Sequence, residues 1–102
     1  MEEPWQLFFE QFRIRVDEIT SLDIARDEEL AELAHDAYEA TTDLLIEEQG
    51  YEEDEALALS KAYAEGVRKW LDASDAEDRS WDELEERLAT QQQEWELGDV
   101  PV

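Results

Sequence analysis

Cysteine is absent from the 102 residues, which removes disulfide frameworks, thiolate metal sites and cysteine nucleophiles and leaves the redox compartment undetermined. Lysine occurs only twice, and all basic residues together number eight against thirty-one acids, a formal net charge of −23. Such a chain repels nucleic acid and anionic membranes alike, so direct contact with either is not expected. No run approaches the ~20 apolar residues of a membrane-spanning helix. The opening MEEPWQLFFEQF has neither a basic leader nor a long apolar stretch and does not read as a secretion signal, so the expected location is the cytoplasm. Strict apolar–polar alternation and Asn-Gly hairpin turns are missing, which argues against strands. Also missing are a glycine-rich phosphate loop, G-x-S-x-G and H-E-x-x-H. No pair of acids stands apart from the rest as a general acid and base. The sequence therefore predicts neither an enzyme nor a cofactor.

What is present suffices for folding. High charge often accompanies disorder, yet 42% of the residues are hydrophobic and ten are aromatic, enough apolar surface to offset the entropy of ordering the chain. At this length one domain, residues 1–102, can build its own core.

Apolar residues recur with the helical period throughout. From Pro4, a favourable first helical residue because it needs no amide hydrogen, Trp5, Phe8, Phe9, Phe12, Val16 and Ile19 fall on one face. A second helix is expected from about Ala25 to Glu48, with Leu30, Leu33, Ala34, Ala37, Tyr38, Leu44 and Leu45 as its stripe and Gly50 ending it. A third, about Glu52 to Asp72, would bury Leu59, Tyr63, Val67 and Trp70 and place Gly66 where a neighbouring helix approaches. Its acidic start and its Arg68-Lys69 end agree with the helix dipole. The fourth starts at Ser80, where Ser80-Trp81-Asp82-Glu83 has the form of a capping box, and runs to Gly98. Residues 73–79 read as a loop and 99–102 as a tail. The expected fold is all-α, a compact antiparallel bundle of three to four helices.

The second helix carries an unusual feature on the side away from its apolar stripe. Glu28, Glu32, Asp36, Glu39, Asp43 and Glu47 recur three or four residues apart, a spacing at which like charges repel by a few tenths of a kcal/mol per pair. Glu47 and Glu48 also sit where the helix dipole disfavours anions. Between Asp27 and Glu48 there are nine carboxylates over roughly 33 Å of helix, one per ~3.7 Å. Two such helices side by side would carry one charge per ~1.8 Å, near the ~1.7 Å of duplex DNA. Features that cost local stability point to function. The leading expectation is thus a protein that imitates nucleic acid and occupies the basic groove of a DNA- or RNA-binding protein, with these six acids as the contact surface. In net charge, size and inferred helicity the chain resembles the small acidic phage and plasmid inhibitors of restriction enzymes and CRISPR effectors; no motif carries that resemblance.

Two other readings compete. An antitoxin or immunity-type protein clamping one basic partner would need apolar surface as well as charge. Adaptation to a salt-saturated cytoplasm would produce a solvated acidic surface with no partner; the scarcity of lysine fits it, while twenty Glu against eleven Asp does not. The charge divides evenly between the two halves of the chain, which fits both a decoy and an adapted surface. On the first helix, Leu7 and Ile14 lie seven residues apart on one line opposite the aromatic face. With Ile46, they are expected to be exposed, singly without consequence or together as an anchor for a partner or a homodimer seam. Glu32-Leu-Ala-His35 has the Glu-x-x-His spacing of ferritin-like di-iron bundles, but the chain has one histidine, so only a symmetric dimer could assemble that ligand set. The simpler expectation is that His35 flanks the core beside Glu32 or Glu39. Trp5, Trp70, Trp81 and Trp95 are assigned mainly to the core, with Trp95 and the Val100-Pro101-Val102 tail best placed to reach a neighbour.

Overall fold

The first helix begins where its capping chemistry puts it: the Glu3 N–H donates to Gln6 Oε1 at 2.8 Å, and Pro4 follows with its φ already suited to a helix. In the computed structural model, α1 spans Pro4–Ile19, α2 Asp27–Gln49, α3 Glu53–Ala73 and α4 Trp81–Glu96. The structure describes residues 3–22, 24–73 and 79–96, the last three by backbone alone. Residues 74–78, expected as a loop, the expected helix end at Gly98, residues 99–102, expected as a tail, and the Trp95 side chain lie outside the described residues. Arg26 starts α2 by donating its N–H to Glu29 Oε1 at 3.2 Å. Gly50 ends it in the left-handed region at φ 73°, a conformation that only glycine adopts without cost. Ser80 caps α4, its Oγ accepting the Glu83 N–H at 3.2 Å.

All four helices join one all-α bundle. α2 packs against α1 and α3, α4 packs against α3 and α1, and α1 touches α3 across the diagonal. α2 and α4 occupy opposite corners without contact among the described residues. Short connections make consecutive helices antiparallel. Phe8, Phe12, Val16, Leu30, Leu45, Leu59, Tyr63, Trp70, Leu84 and Leu88 are fully buried. Trp81 meets Phe9 and Phe12 in T-shaped contacts, each with ring centroids 5.8 Å apart, a favoured aromatic geometry. Tyr63 meets Phe8 at 5.8 Å and donates its hydroxyl hydrogen to Gln92 Oε1 on α4. Gly66 is buried against α4 as its position suggested, yet a Cβ there would sit 3.5 Å from Leu88 Cδ2, an ordinary contact.

Two assignments on α1 are corrected. Leu7 is only 8% exposed and belongs to the core. Phe9 and Phe12 both meet Trp81 of α4, while α1 also packs against α2 and α3, so more of its circumference is covered than the aromatic face alone. Ile19, expected to join the core, is 65% exposed, although Val16 in the same last turn is fully buried. Ile14 is exposed as expected, and Ile46 is half-buried against the core. The turn after α1 supplies Leu22 and Ala25 to the core instead.

Arg79, in the segment read as a loop, is the other departure. Its side chain is 2% exposed, with Nη1 2.7 Å from Asp27 Oδ1. Nη2 donates to the Leu71 carbonyl at 3.1 Å, and the guanidinium lies over the Trp70 ring at 5.9 Å. One side chain thereby ties the start of α2 to the end of α3.

Leu7→Glu is expected to cost roughly 2–4 kcal/mol of unfolding free energy, since it places a carboxylate in a packed site. Ile14→Glu should stay within about 0.5 kcal/mol of the parent. Urea denaturation of the two single variants measures both, and equal losses would contradict the facing of α1 described here.

Candidate functional site

The helical period carries the six acids of α2 onto one face. At about 100° per residue, Glu28, Glu32, Asp36, Glu39, Asp43 and Glu47 fall within a sector roughly 100° wide, and all six are exposed. The row is about 28 Å long, with neighbours ~4.5–6 Å apart along the axis. Opposite it, Leu30, Leu33, Ala34, Ala37, Thr41, Thr42 and Leu45 are buried. No lysine or arginine occurs between Arg26 and Lys61, a span that holds thirteen acids.

At the far end of the row, Glu47 and Glu48 sit at the disfavoured terminus of α2. The tight Gly50 turn brings the start of α3 beside them, with Glu52, Glu53, Asp54 and Glu55 all exposed. The α3 N-terminus carries the positive end of its dipole, so it favours those four acids and offsets part of the cost of Glu47 and Glu48. This compensation was not visible while α2 was considered alone.

The helices flanking the row do not extend it. α3 exposes Lys61, Arg68 and Lys69 among Asp54, Glu65 and Asp72. α1 exposes Arg13 with Glu10, Asp17 and Glu18, and Arg13 and Asp17 approach to 3.8 Å. The doubled, duplex-like charge density considered from sequence is therefore not built by α2 with either neighbour. The surface is a single row of carboxylates with Lys61 and Arg68 on its α3 side, while Arg13 of α1 turns toward Trp81 of α4.

His35 lies at the edge of the row. Its Nε2 is 3.1 Å from Glu39 Oε1, and its ring stacks on Tyr38 at 5.8 Å with planes 7° apart. Among the described residues no three His, Asp or Glu side chains are grouped to hold a metal ion. Of the apolar anchors expected on α1, only Ile14 remains available. Ile19 and Ile24, which were not considered for that role, are exposed beyond it at the same end of the bundle.

A groove between α2 and α3, a cavity of about 590 Å³, has no counterpart among the features expected from the sequence. Ala31 and Ala34 of α2 and Ala64, Val67 and Leu71 of α3 form its floor. Asp27, Glu28, His35 and Tyr38 edge it on the α2 side, and Lys61, Glu65, Arg68 and Asp72 on the α3 side. Alanine at 31, 34 and 64 was the available signal, because side chains that small leave the seam between two helices unfilled.

No protein-family model, curated protein or solved structure matches the chain, so its own residues carry the functional argument. Among the described residues no helix is long and apolar enough to cross a membrane.

The spacing of the row sets a salt response. The Debye length falls from ~10 Å at 0.1 M to ~3 Å at 1 M, passing through the distance between neighbouring carboxylates. The melting temperature is expected to rise across that range of potassium chloride, and to rise less in a variant with Glu47→Gln and Glu48→Gln. Calorimetry across the salt series measures this; an unchanged melting temperature would show that repulsion along α2 has no energetic weight.

Proposed function

We propose that this protein is an acidic decoy that occupies the basic nucleic-acid-binding groove of a protein partner, in the manner of an anti-restriction or anti-CRISPR inhibitor, and acts in the cytoplasm with that partner. The observation that carries this reading is the row of six exposed carboxylates on α2, uninterrupted by any basic residue of that helix. Lysines and arginines that neutralise phosphates attract such a row by the same long-range field, which accelerates encounter. A row mounted on a packed helix is also held in place before binding, so little ordering cost remains. A single row suits one strand's worth of phosphate contacts better than both strands of a duplex.

Unlike DNA, the decoy has no condensed counterion layer to release. Its binding should therefore weaken with salt less steeply than DNA binding to the same groove. An antitoxin-like clamp is the second reading, favoured by the apolar floor of the α2–α3 groove and by the exposed Ile14, Ile19 and Ile24. The two differ in whether nucleic acid and this protein exclude one another.

The test compares two variants of equal charge. One carries Glu32→Gln, Asp36→Asn, Glu39→Gln and Asp43→Asn; the other carries Asp17→Asn, Asp82→Asn, Glu85→Gln and Glu86→Gln on α1 and α4. Both should stay folded, since all eight changed positions are exposed. At about 1 kcal/mol for each desolvated charge contact, the α2 variant should bind a partner recovered from host lysate roughly a hundredfold or more weakly. The scattered variant should lose far less, and nucleic acid should displace the parent protein. Equal losses would reduce the surface to unspecific acidity. Undiminished nucleic-acid binding by the complex would replace the decoy with the clamp.

A further inference from the structure

We infer that the α2–α3 groove receives an amphipathic α-helix of the partner, about three turns long, that is basic along the edge facing α2 and carries a carboxylate along the edge facing α3. Assigning this helix to the same basic partner rests on the proposed function; the fit to the groove does not.

Length and shape come first. From Asp27 to Tyr38 the groove follows α2 for ~17 Å, three helical turns. A volume of about 590 Å³ cannot hold a whole helix but can accept the side chains of one face, the three or four apolar anchors by which a helix docks in a groove. The alanines at 31 and 64 keep the floor low enough for such anchors, and Val67 and Leu71 make its base apolar. DNA receives recognition helices in a trough of similar scale, the ~12 Å wide major groove.

Charge then fixes the occupant. On the α2 side Asp27 and Glu28 edge the groove, and the carboxylate row continues beyond them through Glu32 and Asp36. On the α3 side Lys61 and Arg68 are exposed, and neither forms an ion pair among the described residues. Lys61 and Arg68 alternate along this edge with Glu65 and Asp72, so the α3 edge is balanced where the α2 edge is acidic, and an incoming acid finds its cations there. A uniformly basic helix would leave those two cations unmatched. The groove thereby selects for a helix with unlike edges, which is a stronger requirement than positive charge.

Nuclear magnetic resonance titration of the isotopically labelled full chain tests this with three synthetic helical peptides of equal length. The first has leucines on one face, arginines on one edge and glutamates on the other; the second has arginines on both edges; the third is the first with its leucines replaced by serine. The first should shift the amides of Ala31, Ala34, Ala64 and Arg68, and the serine peptide should bind about tenfold more weakly or worse. Ala31→Trp, at an exposed position that leaves the core untouched, should weaken the leucine peptides by a similar factor. Lys61→Glu with Arg68→Glu should weaken the first peptide and strengthen the second, reversing their order. Equal affinity for the serine peptide, shifts confined to the 47–55 turn, or an unchanged order in the charge-reversed variant would each overturn the inference. Concentration-dependent shifts at Ala31 and Ala64 without peptide would overturn it in favour of a second copy of the chain. If the first peptide binds as expected while nucleic acid fails to displace the whole protein from its partner, the decoy falls and the groove stands. If the α2 carboxylate variant loses its partner but no peptide enters the groove, the groove falls and the decoy stands.

Discussion

α2 has to serve as a strut of the core and as the most acidic surface of the molecule, and the rest of the bundle depends on how those demands balance. The five neighbouring carboxylate pairs from Glu28 to Glu47, at a few tenths of a kcal/mol each, cost about 1–2.5 kcal/mol together. Burying Leu30, Leu33 and Leu45 contributes roughly 1.5–3 kcal/mol apiece. Burial wins by a wide margin, so the helix is secured by α1 and α3 rather than by its own sequence. A free peptide of this segment would have the repulsion without the burial. The carboxylate row therefore exists as an ordered array only on the folded bundle.

Arg79 governs the end of that array where the groove opens. Its guanidinium satisfies the Leu71 carbonyl near the end of α3, where a cation complements both an unpaired carbonyl and the negative end of the dipole. The same group holds Asp27 at 2.7 Å. Because Asp27 remains largely exposed while Arg79 is buried, the pair gains less from mutual attraction than from the fixed position it imposes. Asp27 and Leu71 both line the groove, so the contact sets how far α2 and α3 stand apart there. A buried ion pair of this sort is better evidence for a specified geometry than for net stability.

The helices and most of the core were legible because the 3.6-residue period and the capping residues are local properties. Pro4, Gly50 and Ser80 mark boundaries that the backbone reproduces. The failures all concern which helix lies beside which. Leu7 and Ile14 share a line on the helix surface, yet one is 8% and the other 44% exposed; the packing of the neighbouring helices distinguishes them, and the helical period does not. The basic residues of α3 were plain in the sequence, but that they flank the row of α2 follows from the packing. The groove is formed between alanines of α2 and α3 that lie thirty or more residues apart, and Arg79 stood in a segment with no periodicity to orient it. For the candidate site, the row itself was legible and its surroundings were not.

Those surroundings bear on whether the acidity serves solvation or recognition. A surface acidified for a concentrated salt solution has no reason to segregate its few cations, since every solvated face gains alike. Here α1, α3 and α4 each intermix basic residues with their acids, while α2 has none across twenty-three residues. The segregation carries an energetic cost, because a single lysine placed four residues after Glu28, Glu32 or Glu39 would convert a repulsive pair into an attractive one. Eight basic residues are present in the chain, and none is spent there. A row kept free of cations on one helix, beside a groove whose other edge exposes two of them, is an anisotropic pattern. Solvation does not demand anisotropy, whereas a partner with a defined arrangement of charge does.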